Sequence, residues 1–154
     1  MLPLAGFAQV KFGVVDVDEI LKSMPEVESA NQSLNEASAM YDAEFKKLQD
    51  DYQRKFTDFQ NLKANTPETI RQRRVQEMQE VEQSLTQFRQ TATHEMEKLQ
   101  RSLMDPIYSR IEQAIQAVGQ EEGFVVIFKK DATMYVNYSV TDVTSLVKLK
   151  LSAN

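Results

Sequence analysis

The sequence predicts an α+β protein: a small β-rich oligomerisation body with a long antiparallel helical hairpin, a coiled-coil arm, inserted after the first strand. Three observations predict it. From Val27, Ala30, Leu34, Ala37, Tyr41, Phe45 and Leu48 to Tyr52, Phe56, Phe59 and Leu62, apolar residues recur every three or four positions. The same rule runs from Ile70 through Met78, Val81, Leu85, Phe88, Ala92, Met96, Leu99 and Leu103 to Ile107, with Arg74 its one polar step. That is the period of a helix with one apolar face. A single break at Asn65-Thr66-Pro67 divides the stretch into two helices of nearly equal length, and β-branched runs lie only outside it, towards both chain ends. Such a hairpin is roughly 60 Å long at about 1.5 Å per residue, too long to fold back into a compact domain, so it is expected to project.

The elements follow in order. Val10–Val17 is rich in β-branched residues and reads as a strand. Asp16 and Asp18 close it, with Asp18 placed to cap a short helix over Glu19–Ser23. Pro25 opens the first long helix at a position where its missing N–H costs nothing. At the tip, near 64–67, Thr66 is a candidate N-cap, with Pro67 behind it and Glu68 in the first turn. Pro106 falls inside the second helical pattern, which Ile107, Ile111, Ala114, Ile115 and Val118 continue. A mid-helix proline costs about 3 kcal/mol and usually kinks the helix, so the boundary between arm (26–105) and body (9–25 with 106–154) is placed there. Gly123 is a natural left-handed stop. Phe124–Lys129 reads as a buried strand, Lys130–Thr133 as a turn, and Met134–Tyr138 as the returning strand of a hairpin. Thr141 or Asp142 is placed to cap a last helix carrying Val143, Leu146, Val147 and Leu151, although the alternation from Val147 to Leu151 also fits a strand.

The seam mixes periods. Val27 to Tyr41 makes two heptads, whereas Ala37, Leu48 and Phe59 are spaced by 11-residue repeats. The two repeats supercoil with opposite hand, which predicts a straight and yielding arm. The body left over is about 65 residues, too small to bury enough surface alone, so oligomerisation is expected. Phe12, Val14, Ile107, Ile111, Ile115, Val126 and Phe128 are its candidate residues.

Composition removes several classes of function. Of 154 residues, 18 are basic and 23 acidic, a net charge of −5 that argues against a nucleic-acid partner. There is no cysteine, hence no disulfide framework or thiolate chemistry. The one histidine, His94, stands with Glu95 and Glu97 on a helix where neighbouring side chains diverge. Asp16, Asp18 and Glu19 are explained by strand-end and capping roles as well as by a cation. The four glycines do not cluster, so no phosphate-cradling loop is present. No catalytic residue, metal or cofactor is expected, and the chain does not read as an enzyme. Met1–Ala8 is apolar, uncharged and ends on a small-x-small triplet. It reads as the remnant of a cleaved signal peptide, with a disordered tag or native N-terminus as the other reading.

Two surface features point to binding. Along the seam, Tyr41, Phe45, Tyr52, Phe56 and Phe59 are core residues first, but a two-helix seam is covered on one side only and leaves ring edges exposed. Together with off-seam Met40 and Val75 they form a candidate low-specificity surface for unfolded chains. Between residues 52 and 74, Arg54, Lys55, Lys63, Arg71, Arg73 and Arg74 face only Asp58 and Glu68. That window makes the tip a candidate for acidic partners, such as an anionic membrane surface.

Gly13-Val-Val-Asp-Val17, Ile20-Leu21, Met24-Pro25-Glu26-Val27, Pro67-Glu68-Thr-Ile70-Arg71, Leu103-Met-Asp-Pro-Ile-Tyr108, Ile111, Ala114-Ile115, Glu122-Gly123-Phe124 and Asp142-Val-Thr144 occur in this order. In order and spacing they resemble the Skp (OmpH-like) periplasmic chaperone family, across roughly residues 10–151. The resemblance implies a homotrimer in the periplasm, with a shared β-rich body and three arms around a cavity. It implies ATP-independent holding of unfolded outer-membrane proteins. A coiled-coil spacer or tether of the cell envelope is the alternative. One departure stands out: well-known members are strongly basic, whereas this chain has a pI near 5.0. Capture here is expected to lean on apolar contact and to depend weakly on salt.

Overall fold

The computed structural model describes residues 10–153. The order of elements is β1 (Phe12–Val15), α1 (Val17–Ser23), α2 (Pro25–Gln60), α3 (Glu68–Glu121), β2 (Val126–Lys129), a 3-10 turn (Lys130–Ala132), β3 (Thr141–Asp142) and α4 (Thr144–Ser152). The described residues are mainly helical with one small sheet. It divides into two compact units, Met1–Ser29 with Leu103–Asn154, and Ala30–Ser102. Helices α2 and α3 contribute residues to both. The segment 1–8, read above as a signal remnant, lies outside the described residues.

In the first unit the sheet order is β2-β1-β3, and both pairings with the central strand are parallel. The hairpin expected after β2 is therefore absent. Lys130–Ala132 winds into a 3-10 turn, and the Asn137 side chain accepts from the Ser139 amide at 3.0 Å. The Val140 amide donates to the Asn137 carbonyl at 3.0 Å. This asparagine-centred turn redirects the chain to the far side of β1, where Thr141 and Asp142 pair, so residues 134–138 never return along β2.

Other boundaries shift by a residue or two. Asp16, rather than Asp18, caps α1 by accepting from the Glu19 amide at 2.9 Å, which ends β1 at Val15. Asp142 accepts from the Thr144 amide at 3.0 Å as α4 begins at Thr144, so the final segment is helix and not strand. Gly123 stops α3 at a φ of 70°, and the Phe124 amide returns to the Gly119 carbonyl at 2.9 Å, a Schellman closure.

Helix α3 runs through Pro106 without interruption. The residues that follow explain why, because Ile107, Ile111, Ala114 and Val118 form one buried stripe. Packing of that stripe offsets the lost backbone hydrogen bond. The stripe shares the core with Val14, Val15, Ile20, Met24, Val143 and Val147. By contrast β2, expected to be buried, is largely exposed: Val126 and Phe128 keep 37% and 47% of their surface.

In the second unit, side chains of α2 and α3 meet in antiparallel order. Tyr41 and Phe45 touch Phe88, Tyr52 bonds to Glu82, and Lys63 meets Arg71. The connection spans residues 61–67. The Pro67 carbonyl accepts from the Ile70 and Arg71 amides, so α3 starts at Glu68, one residue later than a Pro67 start. Of the seam residues in this unit only Ala30 and Val81 are buried; most others are half-covered.

Candidate functional site

The second unit carries an open groove of about 700 Å³ between α2 and α3. Leu34, Tyr41 and Phe45 approach from α2, and Phe88, Ala92 and Met96 from α3. The helical period puts these residues on facing sides. Small residues at Ser38, Ala92 and Thr93 leave the space that the rings do not fill. The rings of Tyr41 and Phe88 lie 6.0 Å apart at 58°, and those of Phe45 and Phe88 lie 6.4 Å apart at 21°. The Arg89 guanidinium sits 5.1 Å from the Phe45 ring centre, a cation–π contact. Asp42 and Glu97 complete the rim from opposite helices.

The expected binding residues fall into separate places. Tyr41 and Phe45 enter the groove. Tyr52 and Phe56 stack on each other at 6.4 Å, and the Tyr52 hydroxyl donates to Glu82 at 2.8 Å. That bond holds the Tyr52 hydroxyl above its ordinary pKa, because ionisation would remove the donated proton. Phe59 and Val75 line a smaller hollow beside Arg71. Met40 stands apart, 73% exposed. Val75, off the seam in the sequence pattern, is half-buried, whereas Ile70 and Arg74 are exposed. Near the turn the inward face is thus Arg71 and Val75, one position beyond the expected Ile70 and Arg74, and the two patterns coincide again at Met78. Of the groove residues the sequence reading assigns only Tyr41 and Phe45 to binding, and it leaves out Leu34, Phe88, Ala92, Met96, Arg89 and the rim carboxylates Asp42 and Glu97. Their signal is the facing-helix arithmetic, since antiparallel partners around one turn have nearly constant index sums.

The six tip cations do not form a free cluster. Arg54 and Lys55 pair with Asp51, and Arg73 and Arg74 with Glu77. Arg74 is the main cause holding the Glu77 carboxyl below its usual range. Arg71 donates to the Lys63 carbonyl at 2.7 Å and reaches the Thr66 carbonyl at 3.4 Å, closing the turn. Asp51 and Glu77 lie just outside the window that made the tip look basic. Of the six, only Lys63 makes no ion pair or hydrogen bond through its side chain among the described residues, and Arg71 bonds to backbone carbonyls alone.

The body residues also separate. Val14, Ile107 and Ile111 are buried in the chain's own core, and Ile115 is half-buried. Phe12, Val126 and Phe128 are exposed, as are Tyr135 and Tyr138. Asp16 and Glu19 are engaged in the α1 cap and in an ion pair with Lys148 at 2.7 Å. Among the described residues no group of three metal-ligating side chains converges, and no helix is long and apolar enough to cross a membrane.

The family profile described as "Outer membrane protein (OmpH-like)" matches residues 11–151. Among solved structures, the chain is similar to a candidate outer membrane chaperone (OmpH-like) from Caulobacter crescentus. The TM-score is 0.77 at 16% identity, covering 99% of this chain and 90% of that one. No curated protein matches at a significant level. With the profile spanning nearly its whole length, this chain belongs to the OmpH-like outer membrane protein family.

Proposed function

We propose that this protein is an ATP-independent periplasmic chaperone that holds unfolded outer-membrane proteins. The observation that carries the reading is the groove of half-exposed rings, Tyr41, Phe45 and Phe88, between two helices that lack the residues to fill it. A surface of this kind binds apolar side chains without requiring a sequence. Family membership and the description of the Caulobacter protein support the same function and a place in the cell envelope. In this reading α2 and α3 form a projecting arm, and three chains join through their bodies into a homotrimer. The exposed Phe12, Val126 and Phe128 are the residues offered to that contact.

Diluting a urea-denatured outer-membrane barrel into buffer tests the function by light scattering. Near-stoichiometric amounts of this protein should suppress aggregation of several unrelated barrels without ATP. A protein that protects none, or only one defined partner, is a tether instead. Phe45→Ser with Phe88→Ser should weaken suppression several-fold while leaving the helical signal in place.

A further inference from the structure

We infer that the groove selects unfolded segments in which Lys or Arg flanks an aromatic residue, a client class set by its rim. The inference rests on the holding function proposed above and deepens it. Asp42 and Glu97 stand on the two helices that border the groove, and neither carboxylate is paired with a cation among the described residues. Lys46, one turn from Asp42, is held by Asp50 at 3.2 Å. The one cation at the rim, Arg89, is turned onto the Phe45 ring. An incoming chain therefore meets an apolar floor of rings flanked by two unpaired carboxylates and one guanidinium held over a ring, a net charge of −1 among the lining side chains.

Charge complementarity follows directly. A client aromatic entering beside Phe45 and Phe88 brings its neighbours to the rim, where a cation is attracted to Asp42 or Glu97 and a carboxylate is repelled. Both rim groups are exposed, so each contact is weak and screened by salt. The selectivity is accordingly modest and superimposed on apolar capture. The flanking polar groups Asn35, Ser38 and Thr93 carry no charge and do not oppose it.

The test uses the full chain and two synthetic unstructured peptides of identical length. One carries Phe and Tyr flanked by Lys, the other the same residues flanked by Glu. Fluorescence anisotropy at low ionic strength should show the Lys peptide binding about three- to tenfold tighter. In Asp42→Asn/Glu97→Gln, an isosteric surface pair, the difference should shrink to within about twofold. Equal or tighter binding of the Glu peptide, binding of neither, or a difference that persists in the double variant overturns the inference. Barrel aggregation is followed in parallel. Intact suppression without peptide preference removes the inference and leaves the chaperone function standing. A preference without suppression leaves a groove for cationic aromatic segments in a protein that is not a holdase.

Discussion

The Thr144 hydroxyl accepts from the Asp16 amide at 2.9 Å and donates to the Asp142 carboxylate, which also takes the Thr144 amide at 3.0 Å. One buried side chain thereby ties the end of β1 to the start of α4. Thr144→Val keeps the shape but leaves the Asp16 N–H without its acceptor, and should cost about 1–3 kcal/mol in urea denaturation. Burial pushes the Asp142 carboxyl up, but the bonds from Thr144 and from Lys130 at 3.2 Å outweigh it and hold it below 3.8. A depressed folded value means the unfolded chain binds the proton first. This stabilisation is full above about pH 4 and is lost as pH falls through the lower folded value. The bond to Asp142 raises Lys130 above 10.5, so its share is present below that value and disappears as pH rises past the folded one. Asp142→Asn should therefore flatten the acid limb of a stability–pH curve, and an unchanged limb would assign the acid sensitivity elsewhere.

At the scale of elements, the long helices were readable because their period is written in neighbouring residues. The phase at the tip was not. Arg71 scores as polar in any apolar count, yet its guanidinium satisfies two turn carbonyls and so points inward, carrying Val75 with it, and the expected phase resumes only at Met78. Arg71→Ser should expose those carbonyls, cost about 1 kcal/mol, and speed hydrogen exchange at the first amides of α3. Arg73→Ser and Arg74→Ser remove only surface pairs with Glu77 and should match the parent protein within error. Equal effects from all three would refute a special place for Arg71. The absent hairpin teaches the complementary lesson. Met134–Tyr138 has strand composition, but composition does not say which strand edge is free. The Asn137 turn and the gap beside β1 decided that.

For the molecule as a whole, fold class and candidate site were legible to different depths. Strands near both ends and a helical middle follow from local pattern. The groove required knowing which residues face each other, and the tip's charge required counting Asp51 and Glu77 as partners. The exposed face of β2 is the part that a single chain leaves unexplained, and the homotrimer proposed above would cover it. Val126→Lys with Phe128→Lys should lower the sedimenting mass to that of a monomer while most helical signal remains. The parent protein's melting temperature should rise with concentration, as linked association requires. A mass unchanged by the double variant would move the contact elsewhere.

Strand pairing sets Gly13 between Ile127 and Thr141, so the strand synthesised first sits between the two synthesised last. Helix growth and short-loop closure take microseconds or less, whereas pairing partners from opposite ends of a chain is slow. Assembly order follows from that asymmetry. In stopped-flow refolding, the far-ultraviolet helix signal should precede protection of the Gly13–Val15 amides. A chain still emerging from the ribosome can have helix but no sheet, because both neighbours of β1 are made last. The sheet is thus a completion mark, acquired only once the strands near the C-terminus have been made.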